Sequence, residues 1–303
     1  AVLNDSYNLA KAGLSSIENV IKILLALENE TSSVVFGSIA TVLSSLHVVT
    51  EQISETCHQE FIKLGKRIVL SALNKCGWDS KITDQHTEKL YRSTCIALLD
   101  SFASDDMNIF NEAKRRFDLH FTDNTILPSD YKTTVYKILL KSGGIDEYEA
   151  ILKTFNETED NSIRKYAMSS LGATKNTDLK LRTLDWAIKS GDVKLQDFFY
   201  PIGSVTGDIN GGELAWKYFQ DNFDYIKDKV SKANSSLMDA AIMFTCSRFC
   251  TEDKVNEITA FFEANPLPKS ERRISQLLET MKASATFVER TRASNLEAML
   301  KSL

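Results

Sequence analysis

The sequence predicts an all-α protein, an α-solenoid or curved α-superhelix built from stacked helix pairs. Three observations predict it. There are only 12 glycines and 4 prolines among 303 residues, about 5% against a usual ~12%, so turns and breakers are scarce. Apolar residues recur with the 3.6-residue period of a helix through most of the chain. No segment of useful length alternates apolar and polar residues as a half-buried strand does.

The elements follow in order. Ile17, Val20, Ile21, Leu24, Leu25 and Leu27 form the first clear stripe, and Phe61, Leu64, Ile68, Leu70 and Leu73 a second. Tyr91, Cys95, Leu98, Leu99 and Phe102 mark a third, and Val135, Ile138 and Leu139 a fourth. Ser142-Gly143-Gly144 ends that helix, and the acids Asp146 and Glu147 open the next, where they complement the helix dipole. Gly172 closes an Ile163–Leu171 helix, and Asn176 to Asp178 cap its successor. Ser190-Gly191-Asp192 makes a similar break, and Thr251 before Glu252-Asp253 is an N-terminal signature. Trp216, Phe219 and Phe223 are spaced three and four apart, the pattern of a core stripe. Asn265-Pro266-Leu267-Pro268 is the firmest stop, because proline removes a donor and restricts its predecessor. Ser270 then starts a final helix through Ile274, Leu277, Met281 and Val288 to Leu300. The expectation is about fifteen helices of roughly 9–20 residues. From residue 129 onward, helix pairs at intervals of ~30–40 residues suggest HEAT-like or armadillo-like stacking.

Composition excludes several functions. Net charge is −5, and the basic clusters Lys114-Arg115-Arg116 and Arg272-Arg273 are short and interleaved with acids, so neither nucleic acid nor an anionic membrane is implied as a partner. No apolar run is read as reaching the ~18 residues a bilayer requires. No secretory leader is read at the front, and a start at Ala1 fits processing or a piece of a longer chain. Five cysteines, an odd number with no CxxC, suggest reduced thiols and a cytoplasmic protein. Cys246 and Cys250 are expected on one helix face, where a disulfide fits poorly. Sequons at Asn4, Asn29, Asn156 and Asn234 leave a secretory or membrane-anchored parent as the alternative.

Chemistry-bearing patterns are sparse. The histidines His47, His58, His86 and His120 form no HExxH and have no second ligand at helical spacing, so they read as structural or exposed. Gly203, Gly207, Gly211 and Gly212 match no phosphate-binding loop and read as a loop between helices. Neither catalytic nor metal residues are assigned, and the chain is expected to hold no cofactor.

Six segments carry a family resemblance. Leu179 to Ile188 (LKLRTLDWAI) resembles the LxxRTLxxAL helix of the C-terminal domain of M1 zinc aminopeptidases. Lys194 to Phe199 (KLQDFF) is similar to the following QD segment, and Glu213 to Tyr225 (ELAWKYFQDNFDY) to the AWxFLxxNW helix. Phe261 to Pro266 (FFEANP) resembles the FFxxHP stop. Arg272, Ile274, Gln276 and Glu279 fit the ERxIxQxLE helix, continued by Phe287 to Arg290. Asp5 to Ser15 (DSYNLAKAGLS) looks like the opening of the same ERAP1-C-like domain. The motifs stand in family order, and the puromycin-sensitive and fungal cytosolic enzymes are the most similar subgroup.

The resemblance implies one helical-repeat domain over residues 1–303, closing over a thermolysin-like zinc domain elsewhere in the same polypeptide. That catalytic domain and peptide substrates would be the partners. Zinc, its HExxH ligands and the exopeptidase loop would belong to the upstream part, so this chain would not hydrolyse peptides alone. The family's cavity-facing arginine falls at Ala240, which leaves Arg248 as the candidate substrate contact. A reading from a different class is a free-standing α-solenoid adaptor that binds a protein on its concave face.

Overall fold

The computed structural model describes residues 2–123, 125–231 and 235–303. Ala1 and the sequon asparagine Asn234 lie outside them. The chain divides into two compact units, Ala1–Val135 with Thr286–Leu303, and Tyr136–Ala285. Every regular element among the described residues is helical.

The first unit begins with α1 (Val2–Ala12), α2 (Ile17–Ala26), α3 (Ser33–Glu51) and α4 (Glu55–Cys76). α5 (His86–Ala97), the four-residue α6 (Leu99–Phe102) and α7 (Met107–Leu119) follow. Capping explains where several of these start. Ser54 accepts from Cys57 N at 3.0 Å to open α4, and Asp106 accepts from Asn108 N and Ile109 N to open α7. α4 ends at Gly77, whose φ of 65° is accessible to glycine at little cost. α3 sends Phe36, Ile39, Val42, Leu43 and Leu46 into the core, where it packs against α4 and α5. By length and apolar composition α3 could cross a membrane, which corrects the expectation that no segment is long enough. Its buried stripe against α4 and α5 makes it a core helix of this unit.

α8 (Ser129–Ser142) leads into the second unit, which begins at Tyr136. There the helices run in pairs: α9 (Ile145–Glu157) with α10 (Asn161–Met168), and α11 (Thr177–Ile188) with α12 (Phe199–Val205). α13 (Ile209–Asp221) with α14 (Phe223–Ser231) continues the series, and α15 (Ser235–Cys246) and α16 (Glu252–Ala264) follow. These pairs start at residues 145, 177 and 209, within the spacing expected. α11 packs on α13 and α13 on α15, while α10 packs on α12 and α12 on α15. α17 (Glu271–Arg292) starts in the second unit and ends in the first, followed by α18 (Leu296–Lys301).

In the first unit the two ends of the chain meet. Tyr7 and Phe287 rings pack edge to face at 5.9 Å. Arg290 Nη2 donates to Lys11 O at 2.5 Å, Asn295 N to Glu18 Oε1 at 2.7 Å and Ser54 Oγ to Glu297 Oε2 at 2.7 Å.

Several local expectations are corrected. The eighteen α-helices among the described residues range from 4 to 22 residues, a wider spread than periodicity suggested. The helix expected to close at Gly172 ends at Met168, and Leu171–Ala173 is a separate 3-10 turn. The chain after Pro268 is a 3-10 turn through Ser270, and α17 starts at Glu271. Cys250 lies beyond the end of α15, so it does not share a helix face with Cys246. Gly203 stands inside α12 and Gly211-Gly212 in the first turn of α13, not in a loop. The physical reason is close approach. A Cβ on Gly203 would stand 2.7 Å from the Phe244 ring, and one on Gly211 would stand 1.8 Å from Val205 O.

Candidate functional site

The segment read as LKLRTLDWAI folds as α11, and its polar side chains pin the neighbouring helices. Arg182 pairs with Glu149 of α9 and lies over the Tyr148 ring at 5.1 Å. Thr183 is fully buried, with its hydroxyl 2.9 Å from the Tyr148 hydroxyl. Trp186 meets Phe155 edge to face at 4.9 Å. On the other side, Asp185 accepts from the Tyr218 hydroxyl of α13 at 2.7 Å. One helix thus locks α9 and α13, which is why its polar residues matter as much as its leucines.

Two of these carboxyls carry a pH dependence. Hydrogen bonding to Arg182 holds the Glu149 carboxyl below its usual value. Asp185 is lowered in the same direction, first by Lys189 and then by the Tyr218 hydroxyl against the opposing effect of burial. A depressed folded-state pKa adds stability above the unfolded value of about 4 and loses it as pH falls toward the folded value. We expect the urea midpoint to fall below pH ~5 and the Glu149→Gln, Asp185→Asn double variant to show a shallower fall. Equal slopes in variant and parent would contradict this.

The next junction is built on a buried lysine. Lys180 is 4% exposed; its Nζ donates to Val205 O at 3.2 Å and to Asp208 Oδ2 at 2.7 Å. Asp208 also accepts from Gly211 N at 2.7 Å. The lysine therefore satisfies the last turn of α12 and the cap of α13 together, which matches its burial with partners.

The AWKYFQDNF segment spans α13 and the start of α14. Trp216, Phe219 and Phe223 are buried, and Trp216 stands 5.1 Å from the Phe261 ring and 6.2 Å from Phe262. Trp216 Nε1 donates to Glu257 Oε1 at 2.5 Å. Lys254 bridges Glu213 at 2.6 Å and Glu257 at 2.7 Å. Burial opposes the Lys254 charge, but these two carboxylates outweigh it and hold its pKa above the usual value. The aromatic stripe expected from spacing is a core stripe.

Arg248, the candidate substrate contact, lies in the turn after α15 and is half-buried. Its side-chain stem runs past Gly212, where an added Cβ would sit 3.4 Å from Arg248 Cβ. Ala240 is on α15 and half-buried.

Two features were missed by sequence reasoning. His47 of α3 and His58 of α4 meet at 4.8 Å between ring centroids, and His58 Nδ1 is 3.1 Å from Thr50 Oγ1. The second is a pocket of about 480 Å³ in the first unit, lined by the start of α3, the end of α4 and the start of α5. Its wall contains Arg92, 2% exposed. Arg92 Nε donates to Cys76 O at 3.0 Å and Nη2 pairs with Asp84 at 2.7 Å. Arg92 Nη1 is buried without a hydrogen-bond partner. An unpartnered buried donor on a charged group costs about 1–3 kcal/mol or more. No sequence signal announced either feature, because each joins residues from separate helices.

Among the described residues no group of three or more His, Cys, Asp or Glu side chains is placed to hold a metal ion. The His47–His58 pair falls short of the three or four ligands a zinc site uses. The zinc implied by the resemblance has no ligand set among these residues.

A family model described as the ERAP1-like C-terminal domain matches residues 1–283. The chain belongs to that family. Its relatives are aminopeptidases. It is 27% identical to Aminopeptidase M1-B of Oryza sativa subsp. japonica over 96% of this chain and 33% of the relative. Identity to Aminopeptidase 2, mitochondrial, of Saccharomyces cerevisiae is 23% over 95% of this chain and 30% of the relative. Identity to the puromycin-sensitive aminopeptidase of Caenorhabditis elegans is 22%, over 99% and 32%. The chain spans about a third of the length of the curated relatives it matches. Five of the six family-like segments lie within the matched residues, and the sixth, in α17, begins there.

Proposed function

We propose that this chain is the helical C-terminal domain of an M1 zinc aminopeptidase, caps the active-site cavity of the catalytic part of the same polypeptide, and helps select peptide substrates by length. The family match over residues 1–283 carries this reading. Coverage of one third of each curated relative fits a role as one portion of a larger enzyme. The domain would act by excluding water and by positioning the far end of the peptide, effects that require no catalytic group of its own. Residues 1–303 act as one functional domain in this reading. Zinc belongs to the catalytic part. Arg248 contacts the peptide, a role supported by its half-exposed position and long cationic side chain. The location is cytoplasmic, which suits five free cysteines.

The test has two arms. Alone, the chain should release no amino acid from aminoacyl reporter substrates. In the assembled enzyme, Arg248→Ala should raise KM for peptides about threefold with little change in kcat, the signature of lost uniform binding. Turnover by the isolated chain, or kinetics unchanged by the substitution, would contradict the respective arm.

A further inference from the structure

We propose that Cys76 and Cys95 form a dithiol that a hydroperoxide oxidises to a disulfide, a modification site between α4 and α5. The helical register pairs them. Cys76 is the last residue of α4 and lies two turns beyond Val69 on the same face. On α5, Arg92 and Cys95 lie one turn apart. Arg92 Nε donates to Cys76 O at 3.0 Å, and Cys95 Sγ stands 3.5 Å from Val69 O. These two contacts lay α5 along α4 with Cys95 between the levels of Val69 and Cys76. A helical side chain leans toward the N-terminus of its own helix, so the Cys76 thiol leans toward Cys95. The two sulfurs lie within hydrogen-bond reach of each other.

Their surroundings divide the roles. Cys76 lines the pocket of about 480 Å³ and is half-buried, whereas Cys95 is fully buried. An oxidant from solvent therefore reaches Cys76 first. Hydrogen bonding from the Cys95 thiol favours the Cys76 thiolate and, with the Arg92 charge, holds its pKa below the ordinary thiol value against burial and the Asp84 carboxylate. The same hydrogen bond, together with burial, raises Cys95, so it stays a thiol until it is needed. The other thiols are protected: burial pushes Cys57 up to about 11 and raises Cys246 as well, and Cys250 is buried. The Cys76 thiolate attacks one peroxide oxygen. An S–O bond forms, the O–O bond breaks, and the leaving hydroxide takes up a proton to become water. Cys76 sulfur is thereby oxidised by two electrons to a sulfenic acid, and the peroxide is reduced. Cys95 sulfur then attacks Cys76 sulfur: the S–S bond forms, the S–O bond breaks, and the Cys95 proton leaves with the hydroxide as a second water.

The full chain, reduced and then freed of reductant, is treated with hydrogen peroxide, alkylated with iodoacetamide and digested with trypsin. Cys76 falls in the tryptic peptide 76–81 and Cys95 in 93–114. Mass spectrometry should find these two peptides joined, at a yield about tenfold above that of any other cysteine pair, and dithiothreitol should release them. Cys95→Ala removes the resolving thiol, so dimedone should label Cys76 as a sulfenic acid about tenfold more than in the parent chain. Cys76→Ser should leave Cys95 reduced, because the buried thiol is out of the oxidant's reach. That change falls on a half-buried side chain and keeps the test valid if Cys95→Ala fails to fold. Absence of the joined peptides after peroxide, with Cys76 either unoxidised or left as a sulfenic or sulfinic acid, overturns the proposal. Oxidation of Cys95 in Cys76→Ser at the parent's rate overturns it too.

Discussion

Trp216→Ala should cost the chain about 3–5 kcal/mol, the expected range for removing a buried large aromatic. The indole is 1% exposed and packs against Phe219, Phe261 and Phe262 of α13 and α16. Its loss opens a cavity among rings that cannot collapse freely. It also deprives Glu257 of the Trp216 Nε1 donor, although Lys254 still pairs with that carboxylate. Urea unfolding followed by circular dichroism measures the effect, and the tryptophan change itself removes one fluorescence probe. A loss below about 1 kcal/mol would contradict the account of this core, since that is the range of ordinary surface substitutions.

Gly211→Ala is the second large effect, and its contrast with Gly37→Ala gives it meaning. At Gly211 an added methyl would stand 1.8 Å from Val205 O, a backbone atom, and 2.8 Å from Lys180 Nζ. Relief requires α12 and α13 to separate at the point where Lys180 joins them. The expected loss is about 1–3 kcal/mol or more. Gly37 lies within α3, and nothing stands within 4 Å of its Cβ position. There alanine should stabilise by roughly 0.5–1 kcal/mol through lower backbone entropy in the unfolded chain. Shifts of the same sign at both positions would show that close approach of α12 is not what selects glycine at 211.

Much of this architecture was legible in the residues because helices announce themselves locally. The caps at Asn176 and Thr251 and the stop at Pro266 act over three or four residues, so a linear reading finds them. The stripe of Trp216, Phe219 and Phe223 needed only the helical period. What failed to show was every feature made by two helices meeting. Gly203 and Gly211 looked like loop residues because glycine usually breaks helices, and only the approach of Phe244 and Val205 explains them. His47 and His58 were each solitary in the sequence, yet the α3–α4 packing sets their rings together. No pattern in the sequence singled out Arg92. Its burial against Cys76 and Asp84 comes from the fold of the α4–α5 connection. No stripe was placed on Ser33–Glu51, whose serines and threonines dilute the apolar period and are tolerated in a core helix.

The capping role is tested most directly by restoring the missing partner. The catalytic part of the parent polypeptide, expressed without this domain, would have an open cavity and hold its substrates loosely. Rates are then measured across a series of peptides of increasing length, with and without the added chain, and binding is followed by calorimetry. The account predicts that the chain binds, raises turnover of short peptides about tenfold through better positioning, and lowers tolerance of long ones. The pH profile should change little, because closing a cavity adds no acid or base. Absence of binding, or binding that leaves the dependence on peptide length unchanged, would contradict the account and favour a free-standing adaptor.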